Sequence, residues 1–273
     1  MINKLKKVIK GLLHNILSRG KEFTDITVLS GPAKGCKLRL DLRKEGSYWL
    51  GTYDKWIFDC LPFEELINQG DTIWDCGAYV GYYSAIGRKK VGKEGSVYAF
   101  EASSSNFKRL KHMPEINKWN NVHIWNLAIG PEHTTIEFVN NISGSNGPYN
   151  LGKKFKQSKS DLDIETVVCC GVDELIIEKG IKAPDFIKFD LESAEEFALH
   201  NGDKLFTGKR PVVLLELHGE TTKIATGRFL EKYNYFSYMI HDFKTRSNKI
   251  TNYADFMNLK GVPHQVLCVP AEY

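Results

Sequence analysis

Residues 72–81 constrain the fold of this chain more than any other part of its sequence. Their sequence is TIWDCGAYVG, in which an apolar run ends in Asp75 and is followed by Gly77 and Gly81. Glycine at such a turn permits a tight change of direction and lets a ligand approach the backbone closely. The pattern predicts a buried strand, then a ligand-binding turn, then a helix.

Apolar runs and helical patterns alternate from residue 71 onward. The predicted strands are 72–76, 96–101, 122–128, 134–139, 164–170, 186–189 and 211–217, with closing strands at 235–240 and 265–269. The predicted helices are 82–90, 104–117, 194–205 and about 222–232. Such alternation is typical of right-handed βαβ units. We therefore expect an α/β fold with a doubly wound, mostly parallel seven-stranded sheet and helices on both faces.

The N-terminal part of the chain has a different pattern. Residues 26–30 and 36–42 are joined by a turn-rich connection and predict a β-hairpin, after which the aromatic stretch 48–58 leads into a helix that ends near Gly70. We divide the chain into an N-terminal helical and hairpin extension, 1–70, and a main domain, 71–273. Residues 140–163 have little periodicity, so we predict a long surface loop there that serves as a substrate lid.

Residues 1–19 predict an amphipathic basic helix, because apolar residues recur at helical spacing and lysines fill the other faces. We favour packing of this helix on its own domain or on a second copy of the chain in a homodimer. The alternative is peripheral contact with anionic lipid at the inner face of a membrane. No apolar run approaches the roughly 20 residues that a transmembrane helix needs.

Composition excludes some classes of function. The 37 basic and 33 acidic residues are spread through the chain without a charged tail, so nucleic acid is not an expected partner. The six cysteines have no C-x-x-C spacing, which argues against a zinc site or a disulfide framework. We therefore expect reduced thiols and a cytoplasmic protein.

The strand at 96–101 indicates the type of cofactor. It ends in Glu101, about 24 residues after Gly77, where a carboxylate can accept both hydroxyl protons of a ribose. The glycine spacing is G-x-x-x-G, which lacks the full set of glycines that binds the pyrophosphate of NAD. An acid at Asp75 can instead receive the ammonium of a methionine moiety, directly or through water. These features favour S-adenosylmethionine over a dinucleotide.

Several blocks of this sequence resemble the FkbM-type methyltransferase family. They are DCGAYVGYYS at 75–84, VYAFE at 97–101, the lead-in blocks at 30–35 and 48–54, and IKFDLESAE at 187–195, which resembles the family signature K-x-D-x-E-G-x-E. The match runs in motif order over roughly residues 26–220. The resemblance implies a class I, Rossmann-like methyltransferase that O-methylates a sugar, a glycan or a related polyhydroxylated metabolite, either as a small molecule or as part of a polysaccharide pathway.

Two residues depart from the family pattern. Tyr79 stands where the family usually has Asn, and Ser193 stands where it usually has Gly. Ser193 and Glu196 predict a capping box that opens the helix at 194–205, and Glu195 and Glu196 are expected to stabilise its N-terminus. The departures motivate an alternative, a protein that binds the cofactor without turnover. A further alternative is an NAD-dependent enzyme that acts on nucleotide sugars.

The candidate ligand-binding residues lie at the ends of strands and in the turns that follow. Those proposed for the cofactor are Asp75, Gly77, Ala78, Gly81, Glu101, Ser103, Asn106 and Ala128. Tyr48 and Tyr53 are proposed for the acceptor, because tyrosine rings can stack on a sugar face.

The candidate catalytic residues are predicted at the carboxyl ends of two further strands, where open α/β sheets bind their ligands. They are Asp190 with Glu192, and Glu216 with His218. Methyl transfer to a hydroxyl requires removal of its proton, and we rank Asp190 first and His218 second as the base. The carboxylates could instead hold a divalent cation, an interpretation that we rank below base catalysis and for which we name no metal ligand.

Overall fold

The structure is a computed structural model that describes residues 20–140, 147–149 and 159–273. The predicted helix at 1–19 and most of the predicted loop at 140–163 lie outside these residues. The described chain begins with the predicted hairpin, in which β1 (Thr24–Thr27) pairs with β2 (Lys37–Leu40) in antiparallel register. Both strands are shorter than predicted.

A seven-stranded sheet forms the centre of the fold, as the sequence predicts. Its strands, numbered in chain order, are β3 (Thr72–Cys76), β4 (Ser96–Glu101), β5 (Val122–Asn126), β10 (Phe186–Phe189), β11 (Val212–Glu216), β12 (Tyr235–Met239) and β13 (Gln265–Pro270). They lie in the order β5-β4-β3-β10-β11-β13-β12. The five strands from β5 to β11 are mutually parallel, whereas β13 runs antiparallel to both of its neighbours.

The strands in the middle of this sheet are the ones that the sequence predicts best. The predicted bounds of β3, β4 and β10 coincide with the observed ones. Every residue of β3 and β10 is buried. A strand of a parallel sheet that is covered on both faces appears in the sequence as a continuous apolar run, which is why its ends are easy to locate.

A second sheet was not predicted as a unit. Its strands, in spatial order, are β6 (Ala128–Ile129), β9 (Asp163–Cys170), β7 (Thr134–Asn140) and β8 (Gly147–Pro148). The predicted strand at 122–128 is therefore wrong at its end, because the chain leaves the central sheet after Asn126 and Ala128 pairs with Cys169 instead.

The helices cover both faces of the central sheet, and those predicted at 82–90 and about 222–232 are confirmed to within two residues. The helices are α1 (Gly46–Leu50), α2 (Lys55–Cys60), α3 (Phe63–Leu66), α4 (Tyr82–Val91), α5 (Ser104–Leu110), α6 (Met113–Asn117), α7 (Val172–Ile177), α8 (Glu195–His200), α9 (Glu220–Tyr233) and α10 (Tyr253–Met257). The predicted helix at 104–117 is wrong as a single element. The first helix ends at Leu110, and a second begins at Met113 with Pro114 in its first turn, where proline is tolerated. No helix within the described residues is both long and apolar enough to cross a bilayer.

The helix predicted at 194–205 is also shorter than expected. It ends at His200, and a separate π-helical turn follows at Leu205–Lys209. The helix predicted to follow the aromatic stretch and to end near Gly70 is reduced to the short α3, whereas most of α1 and most of α2 lie within the aromatic stretch itself. The hairpin packs on the main sheet, because Leu38 and Leu40 belong to the same buried cluster as Ile73 and Ala85.

Gly77 holds the turn after β3 against the chain that follows β10. Its φ angle is +84°, and a Cβ atom built on it would lie 1.8 Å from the carbonyl oxygen of Asp190. Its N–H donates to the carbonyl oxygen of Phe100 at 3.0 Å. The glycine therefore lets three strand ends meet at one point.

We predict that Gly77→Ala destabilises the protein more than Gly70→Ala does. Gly70 has a similar φ of +89°, but a Cβ atom there would meet nothing within 4 Å. The left-handed conformation alone costs about 1–2 kcal/mol, which is the loss expected for Gly70→Ala. Urea denaturation of both variants measures the loss in the free energy of unfolding that each change causes. Equal losses would show that the close contact with Asp190 does not affect stability.

Candidate active site

A cavity of about 1040 Å³ lies at the carboxyl ends of β3, β4 and β10. This is the edge at which open α/β sheets bind their ligands. The residues predicted from the sequence that line the cavity are Tyr48, Tyr53, Gly77, Glu101, Asn106, Ala128, Asp190 and Glu192. Candidate cofactor residues and candidate catalytic residues therefore share one space.

Glu101 is a buried carboxylate in the cavity wall. One oxygen accepts the N–H of Tyr79 at 2.7 Å, and the other accepts the N–H of Ser103 at 2.9 Å. Asn106 also donates to the second oxygen, at 3.4 Å. Each carboxylate oxygen has two lone-pair sites, so the first oxygen retains one for a ligand hydroxyl and the second can exchange the long bond to Asn106 for one. Burial raises the pKa of Glu101 to about 7, although the two amide donors favour its charged form.

An apolar wall continues from Glu101 across the cavity. Its residues come from the end of β4, from the start of the second sheet and from β7, and they are Phe100, Ala102, Leu127, Ala128, Ile129, Ile136 and Phe138. A wall of this kind next to a carboxylate can take a flat ring joined to a diol.

Four predicted cofactor residues do not line the cavity. Asp75 is 1% exposed, and its carboxylate accepts the Ser84 hydroxyl at 2.5 Å. Gly81 packs against Leu110 and Met113 of the helices behind the turn. The remaining two are Ala78 and Ser103, and Ser103 is the N-cap residue of α5. These residues shape the turns, and the predicted contact between Asp75 and a ligand ammonium stays a prediction.

The two tyrosines proposed for the acceptor lie together in the cavity wall. The rings of Tyr48 and Tyr53 are stacked with their centroids 4.1 Å apart. Burial raises the pKa of Tyr53 to about 12, so its phenol is neutral at physiological pH. The pair places aromatic rings and phenol hydroxyls in the cavity wall.

A buried network that the sequence did not predict joins the N-terminal segment to the cavity. Glu45 and Arg109 form an ion pair at 2.8 Å, and both side chains are less than 10% exposed. The phenol of Tyr79 donates to the same carboxylate, and Arg109 also donates to Asn106 at 2.9 Å. Because 64 residues separate Glu45 from Arg109, no local pattern could have revealed the pair.

Lys188 and Asp190 form the second ion pair of the site. The Nζ atom of Lys188 lies 2.9 Å from an oxygen of Asp190, and the lysine side chain is 6% exposed. Burial alone would raise the pKa of Asp190, but the ammonium of Lys188 lowers it on balance. Asp190 is thus a stable anion and a weaker base than the sequence led us to expect.

His218 lies behind Asp190, outside the residues that line the cavity. Its Nε2 atom is 3.8 Å from Asp190 and 3.6 Å from Glu216, both longer than a hydrogen bond. Its Nδ1 atom is 2.7 Å from an oxygen of Glu195. The structure therefore brings together the four predicted catalytic residues, since Glu192 also lies 4.0 Å from Nε2.

The predicted capping box of Ser193 and Glu196 is wrong. Helix α8 begins at Glu195, its N-cap residue is Ala194, and no side chain caps it. Ser193 has a φ of +86° and its hydroxyl donates to the carbonyl oxygen of His218 at 3.4 Å. The left-handed conformation explains why glycine is usual at this position in the family that the sequence resembles.

Asp190, Glu192 and His218 offer one potential metal ligand atom each, all within 4.8 Å of one another. The ammonium of Lys188 lies against Asp190, and the carboxylates around His218 raise its pKa to about 9 against the opposing effect of burial. The ranking of base catalysis above a divalent cation stays a prediction.

Comparison with known proteins identifies one family. A family model described as "Methyltransferase FkbM domain" matches residues 75–244. No curated protein sequence matches the chain.

Solved structures resemble this fold at low sequence identity. A structure of the methyltransferase FkbM from Methylobacillus flagellatus is 13% identical, with 98% of this chain and 60% of that chain covered and a TM-score of 0.48. A SAM-dependent O-methyltransferase from Thermotoga maritima is 13% identical, with 80% and 65% covered and a TM-score of 0.41. The present chain thus spans 60% of the length of the Methylobacillus protein.

We predict that Glu45→Ala lowers the free energy of unfolding by about 3–5 kcal/mol, because it leaves the buried Arg109 guanidinium without its carboxylate. Asp59→Ala is the control, since it removes one partner of the Lys55–Asp59 pair, whose side chains are 64% and 58% exposed. That change should cost less than about 1 kcal/mol. Urea denaturation of both variants tests the prediction, and similar losses would contradict it.

Proposed function

Because this chain belongs to the FkbM methyltransferase family, we propose that it transfers the methyl group of S-adenosylmethionine to a hydroxyl oxygen of a sugar, a glycan or a related polyhydroxylated metabolite. One observation carries the proposal. A single cavity is lined at one part by Glu101 and its apolar wall, and at another by Asp190 and Glu192. Methyl transfer requires the cofactor and the acceptor to bind next to each other in one cavity.

The residues around Glu101 fit the cofactor. The Glu101 carboxylate accepts the two ribose hydroxyls, and the apolar wall that contains Ala128 takes the adenine ring. Gly77 has no side chain to obstruct the methionine portion. The bound cofactor supplies an electrophilic methyl group on a positively charged sulfur.

The acceptor side fits a ligand with several hydroxyls. Asp190 and Glu192 are carboxylates, whose oxygens can accept hydrogen bonds from ligand hydroxyl groups. The stacked rings of Tyr48 and Tyr53 offer a flat surface for the apolar face of a sugar ring. This combination of carboxylates and aromatic rings supports a polyhydroxylated acceptor.

The proton of the acceptor hydroxyl goes to Nε2 of His218, which lies 3.8 Å from Asp190 and 4.0 Å from Glu192, the two carboxylates that line the acceptor side of the cavity. As it leaves, the acceptor oxygen forms a bond to the methyl carbon, and the bond from that carbon to sulfur breaks with its electron pair on sulfur. We now rank His218 above Asp190 as the base, because Lys188 lowers the pKa of Asp190 and the carboxylates around His218 raise its pKa. Asp190 serves to orient the acceptor.

Calorimetric titration with S-adenosylhomocysteine, the product form of the cofactor, tests the cofactor assignment. Micromolar binding that is lost in Glu101→Ala supports it. Binding of NAD without binding of S-adenosylhomocysteine would overturn it in favour of the dinucleotide enzyme.

We predict that binding of S-adenosylhomocysteine tightens as the pH rises from 5 to 8. The pKa of Glu101 is about 7, and only its carboxylate form can accept two hydroxyl protons, so affinity should fall about tenfold for each pH unit below 7. Titrations in a pH series measure this. Glu101→Gln should bind weakly with an affinity that does not change over this range, and the same slope in that variant would contradict the assignment.

We predict that His218→Gln lowers kcat for methyl transfer by about 10²–10⁴-fold, because it removes the group that accepts the proton. Its affinity for S-adenosylhomocysteine should stay within about twofold of the parent, since the residues assigned to the cofactor are Glu101, Gly77 and the apolar wall. A screen of sugar and glycan acceptors with labelled cofactor provides the assay. Methyl transfer by this variant at the parental rate would exclude His218 as the base, and no transfer to any acceptor by the parent would favour binding without turnover.

A further inference from the structure

Glu195 is a carboxylate in the first turn of α8 whose side chain is fully buried. It accepts the N–H of Leu191 at 2.7 Å and the hydroxyl of Thr222 at 3.3 Å. Its remaining contact is with Nδ1 of His218 at 2.7 Å. Since a buried carboxylate is costly unless it is well bonded, these three partners fix its position.

The contact with Glu195 determines which nitrogen of His218 is available. Nδ1 is bonded to Glu195, whereas Nε2 lies 3.6–4.0 Å from Glu216, Asp190 and Glu192, beyond hydrogen-bond distance. A histidine whose Nδ1–H is held by a carboxylate has its other nitrogen free to take a proton. A ligand hydroxyl between these carboxylates would face Nε2.

We propose that Glu195 is a positioning residue, which holds the imidazole of His218 by its Nδ1–H and so keeps Nε2 directed at the acceptor hydroxyl. The inference rests on the proposed function, in which His218 takes the acceptor proton. It assigns to Glu195 a role that helix stabilisation alone does not include.

The charges around His218 support this role. Carboxylates face it from three segments of the chain: Glu195 on α8, Glu216 on β11, and Asp190 and Glu192 after β10. Lys188 and His264 each contact one of these carboxylates. Burial lowers the pKa of His218, but the hydrogen bond and the charge of Glu195, followed by the charges of Asp190 and Glu192, raise it more, to about 9.

A base with this pKa predicts a specific pH profile. In the parent protein kcat/KM should rise with pH and level off above about 9, because the neutral imidazole is the active form. Loss of the Glu195 charge should move this inflection down by about 1–3 pH units, because an opposite charge at this distance has an effect of that size. A role in folding alone would lower the amount of active protein without moving the inflection.

The experiment compares Glu195→Gln with Glu196→Gln, a neighbouring and half-buried glutamate on the same helical turn. The pKa of His218 is measured by NMR in protein labelled at its eight histidines, and its resonance is identified by its loss in His218→Gln. We expect the pKa to fall in Glu195→Gln and to stay unchanged in Glu196→Gln. If Glu195→Gln does not fold, the parent protein still tests the inference. Above the pKa of His218 its neutral ring must keep the remaining proton on Nδ1, which the same NMR measurement reports.

The outcomes separate this inference from the proposed function. Two results would overturn the positioning role even if methyl transfer is observed. The pKa of His218 in the parent could equal the usual value for histidine, or that pKa could stay unchanged in Glu195→Gln. A pKa that falls as expected supports that role even if no acceptor is found, in which case the proposed function fails alone.

Discussion

The ion pair between Lys188 and Asp190 is the interaction on which the geometry of the site depends. Lys188 lies in β10 between β3 and β11, and it is opposite Asp75 in the register with β3. An ammonium in such a position stays charged only if carboxylates compensate it, and both Asp190 and Asp75 raise its pKa against the opposing effect of burial. The pair thereby fixes the chain after β10 at the place where it touches Gly77.

The negative charge of the site links the cofactor to His218, the proposed base. More carboxylates than cations surround His218, so its imidazolium form is stabilised in the absence of ligands. A sulfonium cation bound in the same cavity would oppose that form, because like charges disfavour protonation of a base. Cofactor binding would therefore favour the neutral imidazole, and the same carboxylates would attract the positive charge of the cofactor.

The sequence predicted the parts of this fold that local patterns determine. The bounds of β3, β4 and β10 were correct because each is a buried apolar run that ends at a turn or an acid. The end of β5 was wrong because the residues that continue into β6 are equally apolar, and only their pairing with β9 separates the two strands. Which strand a residue pairs with is decided by the three-dimensional fold, and it cannot be predicted from the spacing of apolar residues in the sequence.

The same distinction applies to the candidate site. Glu101 and Asp190 were found because each follows the apolar run of a predicted strand. Lys188 and Glu195 lay within the block that resembles the family signature, but nothing local indicated which atoms they contact. Glu45 and Arg109 belong to no motif, and only the fold brings them together.

The two departures from the family pattern have a common physical explanation. Tyr79 and Ser193 both have positive φ angles, +51° and +86°, and Asn and Gly are the residues that adopt this conformation most easily. Tyrosine and serine hold the same backbone conformation at a cost of about 1–2 kcal/mol each. The contact of the Tyr79 phenol with Glu45 and the Arg109 guanidinium over its ring offset that cost at the first position. Since the N–H of Tyr79 still reaches Glu101, the substitution keeps the turn that the cofactor requires, and this argues against a degenerate site.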